Sequence, residues 1–329
     1  MTLHWRRNLI NDIPFDLICA IACLWLPVHD VVILSSAFTN NHGRGEFLQF
    51  LADPRNCFRY EPCDREPSCE ELSWLWQKRL CIYELELSNP VLMFCQMHHS
   101  QQQQHTRLVL THLRSIRLCT ATSRNNRHFL CNIFNAVNCP DFVHLKTLRC
   151  HFGSENRLVF LTMIHKAKHL EEVTIRDLGN KKPNLVDGDL LLIVANCRQL
   201  KVLYVYAFVE LTHNTCMALT ANLHQLTSLS LPKVRYPKSF LASFALSKCA
   251  RNITTLSLDV SIMHSVSLTS IACLLVRLPS IERLTLFGLD THSAFDVASL
   301  SDAIRSFSPF LLNVTDFLWV RKESVGIVA

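Results

Sequence analysis

Between residues 82 and 319 one spacing of apolar side chains returns nine times, and it restricts how the backbone can be laid out. The spacing is Leu-x-x-Leu-x-Leu or a near variant. It occurs at Ile82, Leu85, Leu87; Leu113, Ile116, Leu118; Leu145, Leu148, Cys150; Leu170, Val173, Ile175; Leu200, Leu203, Val205; Leu226, Leu229, Leu231; Ile253, Leu256, Leu258; Ile281, Leu284, Leu286; and, more loosely, Val314, Phe317, Trp319. The last two positions of each triple are two residues apart. In an extended chain they point to one side and the residue between them to the other, so each triple predicts a short strand with one apolar face. Residues 187–205 show what joins the strands. Leu190, Leu191, Ile193 and Val194 fall at helical spacing, and then Leu200, Leu203 and Val205 take over with the period of a strand. Helix, corner, strand is the building block.

A single triple means little. With 49% of residues apolar, three chosen positions are all apolar in roughly one window in eight by chance. Recurrence is the argument: first positions follow one another at 31, 32, 25, 30, 26, 27, 28 and 33 residues, and self-similarity at a period in the twenties belongs to leucine-rich repeats. The predicted fold class is α/β, a right-handed leucine-rich-repeat solenoid. It would form an open horseshoe with a parallel sheet on the concave face and about nine repeats over residues 80–329. Repeat arrays lengthen without deepening their core, so 329 residues do not force a division into globules.

Composition narrows the function. The excess of 33 Lys and Arg over 27 Asp and Glu is small and scattered, which does not argue for nucleic acid. Fifteen cysteines include no Cys-x-x-Cys pair. Cys150 holds a core strand position, and Cys197 and Cys249 come three and four residues before theirs, where free cysteine serves as a small hydrophobe. A reduced, intracellular protein of the cytoplasm or nucleus is expected. Cys57, Cys63 and Cys69 lack the paired spacing and nearby histidine of a zinc site, and the tract His98, His99, Gln101 to Gln104 reads as a solvated loop. With seven glycines there is no phosphate-cradling loop, no Gly-x-Ser-x-Gly and no His-Glu-x-x-His. No enzyme, metal or cofactor is expected. Arg6 and Arg7 precede an apolar run from Leu17 to Pro27, as in a secretory signal, but Asp12 and Asp16 intervene. The run is also too short to cross a bilayer.

That run has its own logic. Pro14 suits a first helical turn, and Asp12 and Asp16 place negative charge at the helix's positive end. From Leu17 to Leu26 the helix would be apolar nearly all round and must be covered on more than one side. Asp30 to Phe38, with Val31, Val32 and Leu34, predicts a second helix. Residues 43–79, broken by Pro54, Pro62 and Pro67, read as a loop-rich linker and cap.

Ile13-Pro14, Asp16, Leu17, Ile18 and Ile21, followed by Leu26-Pro27 and Asp30-Val31, resemble the opening and continuation of an F-box. The unit at 187–205, with Asp187, Leu190, Ala195, Cys197, Leu200 and Leu203 in place, is similar to the cysteine-containing repeats of F-box and leucine-rich-repeat proteins. The resemblance implies a small helical head at 9–42 and the role of substrate receptor in an SCF-type cullin-RING ubiquitin ligase. On that resemblance Ile13, Pro14, Leu17, Ile18, Ile21, Leu24, Leu26, Pro27 and Val31 would meet a Skp-type adaptor, and the repeats would hold the protein to be ubiquitinated. A repeat scaffold that recruits no ligase, in which the head caps the array, and a secreted recognition protein are the competing readings.

Client recognition is expected on the strand residues that alternate with the core. A basic run, Arg117, Arg149, His151 and Arg176, is followed by Tyr204 and Tyr206, with Phe287 further on. Arginine and aromatic side chains anchor many protein interfaces, so an acidic or phosphorylated client segment is the expected ligand.

Overall fold

Alternate burial and parallel pairing meet in the strands of the computed structural model, which describes residues 13–24, 26, 28–37, 41–53, 56–59, 81–87, 113–118, 142–153, 157–177, 184–237, 239–259, 274–287 and 317–320. The chain divides into two compact units, Met1–Leu145 and Lys146–Ala329.

The first unit opens with three helices, α1 (Phe15–Leu24), α2 (Val28–Ala37) and α3 (Asn41–Ala52). Pro14 starts α1, its carbonyl accepting from the amides of Leu17 and Ile18 at 2.9 and 3.1 Å. The helices bury residues at helical intervals: Ile18, Cys19 and Ala22 on α1, Val31 and Ser35 on α2, Phe47 and Leu51 on α3. The first two match the expected helices to within two residues at each end, the usual scatter of frayed termini. The third corrects the sequence reading, because most of it falls in the stretch taken for linker. Phe47 and Leu51 pack at i, i+4 and hold it helical, and it stops at Ala52, two residues before Pro54, where a helix must end. Three strands follow, β1 (Cys57–Arg59), β2 (Cys81–Leu87) and β3 (Ser115–Leu118). All pair parallel, with Leu85 beside Ile116 and Leu87 beside Leu118.

The second unit carries a parallel sheet of seven strands: β4 (Thr147–Phe152), β5 (Glu172–Asp177), β6 (Val202–Tyr206), β8 (Ser228–Leu231), β10 (Thr255–Asp259), β11 (Arg283–Phe287) and β12 (Phe317–Val320). Helices α4 (Arg157–Lys166), α5 (Asp187–Asn196), α6 (His213–Asn222) and α7 (Ser239–Leu246) lie between successive strands in the chain, and each is neighbour to the next. A separate short ladder joins β7 (Val209–Glu210) to β9 (Val234–Arg235), also parallel. Among the described residues no helix is long and apolar enough to cross a membrane.

Register is kept from end to end of this sheet. Leu148, Val173, Leu203, Leu229, Leu256, Leu284 and Phe317 are consecutive partners, so the second position of each triple stacks on the next. A one-residue slip would turn a strand's apolar row to the wrong face, and the burial shows none: Leu148, Val173, Leu203, Leu229, Leu256 and Leu284 are all buried, as are the third-position residues from Cys150 to Leu286. Each such side chain, withdrawn from water, contributes on the order of 1.5–3 kcal/mol before ordering costs.

The corners repeat as closely as the strands. Just ahead of each strand, one carbonyl accepts two amides of the next repeat: Lys146 O from Glu171 and Glu172, Glu171 O from Lys201 and Val202, Lys201 O from Thr227 and Ser228, Thr227 O from Thr254 and Thr255, and Thr254 O from Glu282 and Arg283, all at 2.7–3.1 Å. Three residues before each first position sits another buried side chain, Phe142, Ala167, Cys197, Leu223, Ala250 or Leu278, which anchors the corner. Cys197 is therefore one member of a series. Its thiol and that of Cys216 are pushed up to about 12 by burial, as expected of cysteines that fill space.

Each helix turns two pairs of residues to the core: Val159, Phe160, Met163 and Ile164 on α4; Asp189, Leu190, Ile193 and Val194 on α5; Thr215, Cys216, Leu219 and Thr220 on α6; Phe240, Leu241, Phe244 and Ala245 on α7. Leu191, expected on the apolar face of α5, is only partly covered, and Asp189 takes an inward place. Phe160 meets Phe152 edge to face, ring centroids 5.3 Å apart, tying α4 to the end of β4.

Candidate protein-interaction face

The residues that alternate with the core row of the second unit's sheet form the face where recognition was expected. In register they run Arg149, Thr174, Tyr204, Ser230, Ser257 and Thr285 in one row. Towards the strand ends, His151 pairs with Arg176, Arg176 with Tyr206, and Asp259 with Phe287. Most are exposed or half-buried, but Ser230 and Asp259 are buried.

The cations on this face are not equivalent. Arg149 donates through Nε to Glu172 Oε1 at 3.0 Å, so a carboxylate already engages its charge. Arg176 is exposed and lies over the Tyr204 ring, its guanidinium carbon 5.8 Å from the centroid, within reach of a cation–π attraction. Burial pushes the Tyr204 phenol up, and the Arg176 charge works against that shift. Lys233, in the turn between β8 and β9, sets its ammonium 4.1 Å from the centroid of Tyr206 and 4.7 Å from that of Phe208. Two aromatic rings thus hold one lysine. Phe208 is 52% exposed.

Sequence reasoning missed Lys233 and Phe208. Neither lies in a strand of the repeating pattern, and their contact follows from the β7–β9 ladder, which sets Val209 beside Val234 and so brings the residues before them together. Of the other expected client residues, Phe287 ends β11 half-buried, and exposed Arg117 lies on β3 of the first unit, in register with Glu86.

The expected adaptor residues divide by burial. Leu17 is 51% exposed and Pro14 is exposed, while Ile13, Ile21 and Leu26 are half-buried. Ile18 and Val31 are buried within the first unit and present nothing to a partner as it stands. The Leu24 side chain, Pro27, Cys63, Cys69, the glutamine tract and Val314 lie outside the described residues. Among the described residues no three His, Cys, Asp or Glu side chains gather as metal ligands would.

The sequence matches no protein-family model and no curated protein. Among solved structures the chain is similar to the leucine-rich repeat-containing protein LegL7 from Legionella pneumophila, at 16% identity over 78% of this chain and 80% of that one, with a TM-score of 0.39. It is also similar to the Rad7 and Elc1 complex of yeast, at 11% identity over 95% of this chain and 93% of that one, with a TM-score of 0.40.

Proposed function

We propose that the chain is a leucine-rich-repeat solenoid with an F-box-like head, and that it acts as the substrate-recognition subunit of an SCF-type cullin-RING ubiquitin ligase in the cytoplasm or nucleus. The observation that carries the solenoid is the unbroken register from Leu148 to Phe317, with strands adjacent in the sheet in the order they occur in the chain. Parallel strands joined by helices, each stapled to the next through one shared carbonyl, are what stacked coils require. An array of this kind exposes one face of its sheet along its length, and here that face carries Arg176, Tyr204 and Tyr206, with the ammonium of Lys233 reaching Tyr206 from the β8–β9 turn, side chains suited to gripping another polypeptide.

The head supports the ligase half of the reading. Helices α1 and α2 span most of the residues that carry the F-box resemblance, and Leu17 and Ile33 on them are 51% and 54% exposed. Covering the open part of Leu17 with an adaptor would contribute about 1 kcal/mol, one of several such contacts a docking helix needs. Copurification of the Skp-type adaptor with the full chain, lost on Leu17→Asp at unchanged melting temperature, is the expected result. A wild-type chain that brings down no adaptor sinks the ligase assignment.

One observation favours the competing reading of a protein-interaction scaffold without ligase recruitment. Ile18 and Val31 belong to the expected adaptor set yet are buried at home, which leaves Leu17 and Pro14 as the most accessible members of that set among the described residues. The same pulldown separates the two readings.

A further inference from the structure

Tyr204 and Tyr206 are two residues apart on β6, so about 6.6 Å of strand separates their positions and they share one face. Each is associated with its own cation, Arg176 with Tyr204 and Lys233 with Tyr206 and Phe208. Among the described residues neither cation is paired with a carboxylate, whereas Arg149 is taken by Glu172 and the pair Lys146 and Lys201 by Glu171. Ring contacts restrain a long side chain without neutralising it, so both charges are held in place for an anion from outside.

An extended polypeptide presents its residues i and i+2 on one side at the same rise of about 6.6 Å. We infer that this surface takes an extended acidic segment of a partner polypeptide in which carboxylates recur at every second residue, one meeting Arg176 and the next Lys233, with the partner's intervening backbone lying across Tyr204 and Tyr206. The inference rests on the reading of this face as the client platform, and it replaces the broad basic run with two cations and three rings. A single phosphate suits the arrangement less well, because its charge is concentrated at one point while the two cations are held on different rings.

The test is fluorescence anisotropy of the full chain with labelled eleven-residue peptides, one alternating Thr and Glu, one of equal composition with its glutamates in a single block, and one carrying a lone phosphoserine among threonines. The alternating peptide is expected to bind tightest. Arg176→Gln and Lys233→Gln each weaken it about threefold, and together about tenfold. Phe208→Leu weakens it as well, by releasing Lys233, while Arg198→Gln, an equal loss of charge in the exposed turn ahead of β6, does not. Equal binding of the alternating and block peptides, tighter binding of the phosphoserine peptide, or indifference to Arg176 and Lys233 overturns the inference. Circular dichroism on each variant checks folding. Adaptor copurification on the same variants reports on the receptor reading alone, so a chain that keeps its adaptor but does not discriminate the peptides sinks only the inference.

Discussion

Arg157 and Asp189 form a forked pair between α4 and α5, with Nε 3.2 and 3.1 Å from the two carboxylate oxygens and Nη2 2.9 Å from one of them. Asp189 is 2% exposed and also accepts the Val186 amide at 3.1 Å, closing the first turn of α5, whereas Arg157 keeps 43% of its side chain in water. Removing the acid therefore strips a helix end and a charge partner together. Asp189→Ala is expected to cost about 2–3 kcal/mol, the arginine's remaining hydration softening the loss, and Asp189→Asn less. Urea unfolding followed by circular dichroism measures both, and a shift below about 0.5 kcal/mol for the alanine variant would contradict this account.

Glu171 sits between Lys146 and Lys201, 2.6 Å from each ammonium, and hydrogen bonds from both hold its carboxyl at about 2 against an ordinary 4.5. A depressed acid favours the folded form above its unfolded pKa, and that contribution is lost as pH falls from about 4.5 through 2. Both lysines are at least half exposed, so Glu171→Gln is expected to cost only about 0.5–1 kcal/mol at pH 7. The difference between variant and wild type is mostly gone by pH 2, where the carboxyl is about half protonated in the folded chain, and it weakens in high salt. Melting curves from pH 7 to pH 2 check this, and a gap that persists at the acid end argues against it.

Leu203 lies mid-sheet between Val173 and Leu229 and is 1% exposed. Leu203→Ala leaves a cavity that the in-register neighbours cannot fill without slipping, at a cost of about 2–5 kcal/mol. Thr285→Ala, on the other face of the same sheet, stays within about 0.5 kcal/mol. Comparable losses for the two would mean that the two faces are not inside and outside.

Cys150, Cys197, Cys216 and Cys249 are all buried, and burial raises the thiols of the last three. Only the thiolate attacks an alkylating reagent, so native protein at pH 8 should leave these four unmodified by iodoacetamide and release them on denaturation. Peptide mapping by mass spectrometry reads the outcome directly, and rapid native labelling of Cys197 would be incompatible with its place in the corner.

The nine strands of the apolar triple were legible because a period of two survives in strands as short as Ser115–Leu118. β1 was not, since Cys57-Phe58-Arg59 is too short to alternate visibly. Helix α3 was hidden differently: Phe47 and Leu51 give a helical interval, but Pro54, Pro62 and Pro67 after them drew the whole stretch into the reading as linker. Face assignment from the strands was largely right, and the electrostatics on that face were not. Whether Arg149 meets Glu172 depends on which residues lie across the ladder, and the sequence of one strand carries no record of its neighbour. Lys233 lay further out of reach, because its contact with Tyr206 depends on a turn outside the repeating pattern.

The doubled carbonyls of Lys146, Glu171, Lys201, Thr227 and Thr254 each bind a repeat only to the one after it. Tension applied at the two ends of this unit would meet links loaded one behind another, with no deep central mass to yield at once. Under optical tweezers it should pay out in steps, each releasing about one period of 25–33 residues, rather than in a single rip.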